Sequence, residues 1–151
     1  MLARSCLLAV LRQLAGEIVV PFTVYGECTR DSFRPGAEAI IMARSARLLE
    51  IHPDVSPAQL GDVPALDAGE ISALALALEL KQPVLMDERL GRQVATHHHI
   101  DVVGSIGILL AAKQKGLIPA IAPIIQQWRN WGYFLSPNLM AAVLKRAGEN
   151  L

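Results

Sequence analysis

The sequence predicts an α/β fold with a mainly parallel sheet and helices on both faces, and two observations carry that expectation. Helix-period and strand-period stretches alternate along the 151 residues, the pattern of a parallel sheet whose strands are joined by crossover helices. The clearest unit runs from Leu66 to Val103. Ile71, Leu74, Ala75 and Leu78 recur at i, i+3, i+4, i+7, and Lys81-Gln82 then turns the chain into the apolar run Pro83-Val84-Leu85-Met86. Such a run suits a strand buried on both faces. Asp87 and Glu88 fall at its carboxyl end, the edge where open α/β sheets bind ligands. Glu70 stands in the first turn of the preceding helix, entered through Asp67-Ala68-Gly69.

The other elements follow in order. Leu7, Leu8, Leu11 and Leu14 share one face of a helix over 4–15, with Gly16 placed to end it. Glu17 to Val20 reads as a strand, and Pro21 opens a short helix carrying Val24, Glu27 and Cys28. Asp31 to Gly36 is loop by composition. Ala37 to Arg47 is helical, Leu48 to Ile51 is a brief strand, and His52 to Pro64 is an irregular connection, long enough to be functional. Beyond the central unit, Glu88 to His98 is a helix with Leu90, Val94 and Ala95 inward, and Ile100 to Val103 is a strand. A helix then runs from Gly104 to Lys115-Gly116. Ile121, Ile124, Ile125 and Trp128 repeat at helical spacing within 120–131. Ser136-Pro137 caps a last helix carried by Leu139, Val143 and Leu144.

Composition bounds the function. One domain accommodates the length. Fourteen basic residues balance fourteen acidic ones, so nucleic-acid binding requires a local patch rather than an overall basic field. With 52% hydrophobic and 19% charged residues the chain is expected to fold compactly rather than remain disordered. Cys6 and Cys28 have neither the number nor the spacing of a disulfide framework or a zinc site, which suits the cytoplasm. The apolar run Cys6 to Leu11 stops at Arg12, too short for a signal peptide or a membrane span.

Local chemistry leaves alternatives open. Asp87, Glu88 and Glu70 are all suited to helix capping or to the first-turn dipole, yet carboxylates gathered at one sheet edge repel unless a hard cation such as Mg²⁺ holds them. Arg89 and Arg92 suit a phosphate backbone or a solvated helix face equally. His97-His98-His99 cannot converge on one ion from a helix, where consecutive side chains point about 100° apart, and is read as a helix end. Trp128 fits the core period.

Three stretches together resemble the PIN-like proteins related to VapC-type toxins of bacterial toxin–antitoxin pairs. They are Ile18-Val19-Val20-Pro21-x-x-Val24-Tyr25-x-Glu27, Leu66-Asp67-x-Gly69-Glu70 running to Met86-Asp87-Glu88-Arg89-x-Gly91-Arg92, and Gly104-x-x-Gly107 running to Lys115-Gly116-Leu117-Ile118-Pro119. The resemblance implies a three-layer α/β/α fold and an endoribonuclease that cuts single-stranded RNA with Mg²⁺ or Mn²⁺. It carries catalytic and metal-binding roles onto Glu27, Glu70 and Asp87, with Glu88 as a further ligand candidate and Arg89 and Arg92 toward RNA. The chain departs from the family pattern twice. Ser72 stands where relatives carry a second acidic residue, and the chain opens almost at the first helix, so the family's first strand and its aspartate are expected either to lie upstream of Met1 or to have been lost in a shortened relative. The expectation is therefore a toxin-type ribonuclease, with an antitoxin protein as partner, or else a non-catalytic PIN-like module that binds RNA or protein. The apolar faces around Leu7, Leu8, Leu11, Ile40 and Ile41 further suggest a homodimer.

Overall fold

Among the described residues the strands form two parallel pairs, each a two-stranded sheet. The computed structural model describes residues 1–63 and 65–149, so Pro64 at the end of the expected long connection lies outside the described residues. β1 (Val19–Pro21) pairs with β2 (Glu50–His52), placing Val20 opposite Ile51, and β3 (Val84–Leu85) pairs with β4 (Val102–Val103), placing Leu85 opposite Val103. Among the described residues no strand links the two pairs and none precedes β1. Val84 and Met86 donate their amides to Asp101 and Val103 at 2.8 and 2.9 Å, so the Leu85 backbone points away from β4.

Among the described residues eight helices surround these strands: α1 (Leu8–Ala15), α2 (Phe22–Thr29), α3 (Ala37–Ser45), α4 (Ala68–Leu80), α5 (Arg89–His97), α6 (Ser105–Gln114), α7 (Ala122–Asn130) and α8 (Pro137–Ala147). Neighbouring residues of β4 separate the layers. Val102 packs into an apolar cluster with Leu74, Ala75, Val84, Val94 and Ala95, whereas Val103 packs into another with Leu11, Ile108, Leu109, Ile125 and Trp128. Successive strand residues face opposite sides. α4 and α5 thus cover one face and α1, α6, α7 and α8 the other, the three-layer α/β/α arrangement expected.

Local chemistry explains most boundaries. Asp67 and Glu70 close a capping box at the start of α4, with Glu70 N donating to Asp67 Oδ1 at 2.7 Å and Asp67 N to Glu70 Oε2 at 3.0 Å. Ser136 Oγ accepts from Leu139 N at 3.2 Å, with Pro137 at the first helical position. α1 starts later than its apolar spacing predicts, because residues 2–6 are wound into turns and Cys6 takes φ 58°. α3 ends at Ser45, before Arg47, which adopts φ 57°. The connection after β2 contains a 3-10 turn, Pro57–Leu60, capped by Ser56.

Two inward residues are corrected. Leu90 is 38% exposed, since the buried stripe of α5 is Gly91, Val94 and Ala95, and Gly91 sits where an added Cβ would meet Met86 Sδ at 2.7 Å. Leu139 is 45% exposed, because Met140, Val143 and Leu144 form the buried stripe of α8. In both helices the core lies about 100° round from the expected residue. Trp128 is fully buried as expected, its indole N–H donating to Ser5 Oγ. Leu7 and Leu11 are buried within the chain, leaving Ile41 and Met42 exposed on α3. No described helix is long and apolar enough to cross a membrane.

Candidate functional site

Glu27 reaches the amino terminus of α4. An added Cβ at Gly69 would collide with Glu27 Oε2 and would lie 3.4 Å from Asp67 Oδ1, so the missing side chain of Gly69 is what admits the Glu27 carboxylate. That carboxylate accepts no hydrogen bond and joins no ion pair among the described residues. The helix terminus is a favourable place for an anion. Two carboxylates there nevertheless repel, and the third, Glu70, has turned one oxygen into the capping box. Asp67 is the residue that the motif reading missed, although the Asp-x-x-Glu capping signature marked its position. Ser72 is buried and donates to Gly69 O at 2.9 Å.

Asp87 occupies the other half of the edge. Its Oδ1 accepts the Ser105 amide at 2.8 Å and its Oδ2 the Ser105 hydroxyl at 2.6 Å, which makes it the cap of α6. Gly104 lies between Asp87 and Arg92, because a Cβ there would meet Asp87 Oδ1 at 3.2 Å and Arg92 Nη1 at 3.1 Å. Glu88 caps α5, its Oε2 accepting from Gly91 N at 2.7 Å. Arg92 Nη1 donates to Met86 O at 3.0 Å, while Arg89 is exposed with no protein partner among the described residues. Together with Asp87, Gln93 and Thr96 these arginines line an open cleft of about 440 Å³.

The α-amino group of Met1 feels the charge of Asp87. Burial lowers its pKa, against the opposing influence of Asp87 and then Cys28. Burial also raises the Cys28 thiol, with Glu27 adding to the effect and Arg34 opposing it. The structure thus brings Glu27 and Asp67 together over Gly69, keeps Glu70 beside them in its cap, and holds Asp87 and Glu88 in caps of their own. Among the described residues no three His, Cys, Asp or Glu side chains form a ready metal site. The donor chemistry at Gly69 still fits a hard divalent cation, since unpartnered carboxylate oxygen is the ligand such ions take. The histidine tract sits at the end of α5, as expected. His98 Nε2 pairs with Leu60 O at 3.2 Å, and its ring meets His97 edge-on at 5.1 Å.

No curated protein and no solved structure matches the chain. A family described as a PIN domain matches residues 1–149. That match spans both halves of the sheet, the Gly69 carboxylates and the Asp87 cap, and the chain belongs to the PIN domain family.

Proposed function

We propose that the chain is a PIN-type, metal-dependent endoribonuclease, the toxin component of a toxin–antitoxin pair. PIN domains are generally metal-dependent nucleases, and the observation that supports activity here is the unpartnered Glu27 carboxylate lodged against Gly69 beside Asp67. Glu27 and Glu70, with Asp67 added to the set, would hold Mg²⁺ or Mn²⁺ at the α4 terminus, with Asp87 and Glu88 acting from the opposite half of the edge. Bound there, such an ion would supply Lewis-acid activation of water and charge compensation at the phosphate. Arg89 and Arg92 bind the phosphates of single-stranded RNA, Arg89 with a free guanidinium and Arg92 from its anchor on Met86 O. An antitoxin or a second copy covers Ile41 and Met42 on α3.

A non-catalytic RNA- or protein-binding module is the second reading. It is favoured by one observation: both oxygens of Asp87 are engaged by Ser105. A gel assay on unstructured RNA with Mn²⁺ separates the two. Cleavage abolished by Glu70→Gln and by Glu27→Gln supports the nuclease, whereas binding without cleavage in the intact chain supports the module.

A further inference from the structure

Phe33 is 95% exposed, the least covered large apolar residue described, yet it is not on a loose segment. Its amide donates to Asp31 Oδ1 at 3.0 Å, the Arg34 amide to Asp31 O at 3.0 Å, and the Ala37 amide to Arg34 O at 3.0 Å. Gly36 closes the turn at φ 94° and packs against the Arg4 backbone, where an added Cβ would be 3.4 Å from Arg4 N. The ring is therefore displayed on a hydrogen-bonded turn. Single exposed apolar side chains are common on protein surfaces, so exposure alone assigns nothing. Position and neighbours add the meaning.

Arg30 and Arg34 stand three positions before and one position after Phe33 in the chain, and Arg34 Nη1 donates to the backbone carbonyl of Glu27 at 3.2 Å, tying the turn to the residue whose carboxylate faces Gly69. Its remaining guanidinium donors make no protein hydrogen bond among the described residues. Arg4, whose backbone packs against Gly36, stacks its guanidinium on Trp131, 4.0 Å from the ring centroid. An exposed aromatic ring in a turn that also carries Arg30 and Arg34 suits the chemistry of single-stranded nucleic acid, in which bases stack and phosphates take guanidinium. The residues around it, Arg30, Asp31, Ser32, Arg34 and Pro35, form no contiguous apolar patch of the kind a protein partner would bury.

We propose that Phe33, with Arg30 and Arg34, is a base-stacking subsite that holds single-stranded RNA on the approach to the Glu27 carboxylate. The subsite rests on the reading of the chain as an RNA-directed PIN domain and adds to it a place where one base is held. The test is fluorescence anisotropy of the full chain with labelled oligo(U) and oligo(A) in EDTA, alongside the Mn²⁺ cleavage assay. Phe33→Ala should weaken binding of both oligomers by about 5- to 150-fold. Phe33→Trp should retain affinity, and its emission, above the background of Trp128 and Trp131, should be quenched by RNA. Phe134→Ala removes a ring that is 88% exposed on the α7–α8 connection and should change nothing.

RNA bound or cleaved equally well by Phe33→Ala and the unaltered chain would overturn the subsite while leaving the nuclease reading intact. Phe33-dependent binding without any cleavage in Mn²⁺ would support the subsite and sink the nuclease. A dimer that Phe33→Ala dissociates, with RNA affinity unchanged, would overturn the subsite in favour of a second copy.

Discussion

Asp54 and Asp87 are equivalent residues in the two halves of the sheet. Each lies two positions beyond a strand end, Asp54 after β2 and Asp87 after β3. Each carboxylate takes the amide and hydroxyl of the residue two positions beyond the paired strand. Asp54 holds Thr23 at 3.1 and 2.8 Å, and Asp87 holds Ser105 at 2.8 and 2.6 Å. The caps differ in burial, since the Thr23 bonds are exposed whereas Ser105 is only 4% exposed.

That equivalence separates structure from chemistry at Asp87. Asp87→Asn should cost about 1.5–3 kcal/mol, because a charge-assisted bond to a buried partner is weakened, and Asp54→Asn less than about 1 kcal/mol. Urea unfolding measures both. If Asp87 also serves the proposed cation, only Asp87→Asn will reduce the gain in Tm given by Mn²⁺. Matched responses of the two variants to Mn²⁺ would reduce Asp87 to a cap.

Gly69→Ala tests the Glu27 carboxylate. The clash falls on the far end of a flexible side chain, and alanine is favoured over glycine within a helix by about 1 kcal/mol. Tm should therefore move by no more than about 4 °C, while cation binding is lost as Glu27 is displaced. In the unaltered chain, Mn²⁺ at ten times its dissociation constant should add about 1.4 kcal/mol of stability. A calorimetric titration of Mn²⁺ into Gly69→Ala that matches the unaltered chain would remove Glu27 from the site.

Glu149 gives the chain an acid-sensitive anchor. Its carboxylate accepts from Ile121 N at 2.8 Å and Ala122 N at 2.9 Å at the start of α7, and lies 3.3 Å from Lys113 Nζ. Burial pushes its pKa up, but the two amides and Lys113 outweigh that and leave it below the ordinary 4.5. A carboxyl lowered in the folded state stabilises above its unfolded pKa and loses that contribution as pH falls through the folded value. The unaltered chain should lose Tm more steeply below pH 4.5 than Glu149→Gln. At pH 7 the variant should be less stable by about 2 kcal/mol, from weakened bonds to a charged acceptor. Parallel acid profiles for the two proteins would exclude this role.

The two cysteines should differ in reactivity. Cys6 is exposed, whereas Cys28 is half-buried with its thiol raised by burial and by Glu27. Since thiolate is the nucleophile, iodoacetamide at pH 7.5 should label Cys6 several-fold faster, as read by peptide mass mapping. Arg34 opposes the rise at Cys28, so Arg34→Ala should slow Cys28 further. Equal labelling of the two cysteines would contradict the burial of Cys28.

The sequence by itself determined the order of strands and helices and those ends that depend on residues within a turn of one another. The entry to α4 at Asp67 to Glu70, the Ser136-Pro137 start, Gly16 as the residue closing α1 and the buried Trp128 were all legible, because each follows from local hydrogen bonding or helical period. Glu88 was legible only as a choice between cap and ligand, and its bond to Gly91 N places it in the cap. Tertiary structure decided the rest. The Glu27–Gly69 meeting spans two helices, and the Asp87 cap of Ser105 joins residues 18 positions apart, so both depend on how the half-sheets set neighbouring helices side by side. Leu90 and Leu139 were misassigned for the same reason: period identifies a stripe, but the neighbour a helix packs against selects its centre. Phe33 carried no periodic signal at all, and only the folded turn, with Arg34 tied back to Glu27, gave that residue a place beside the site.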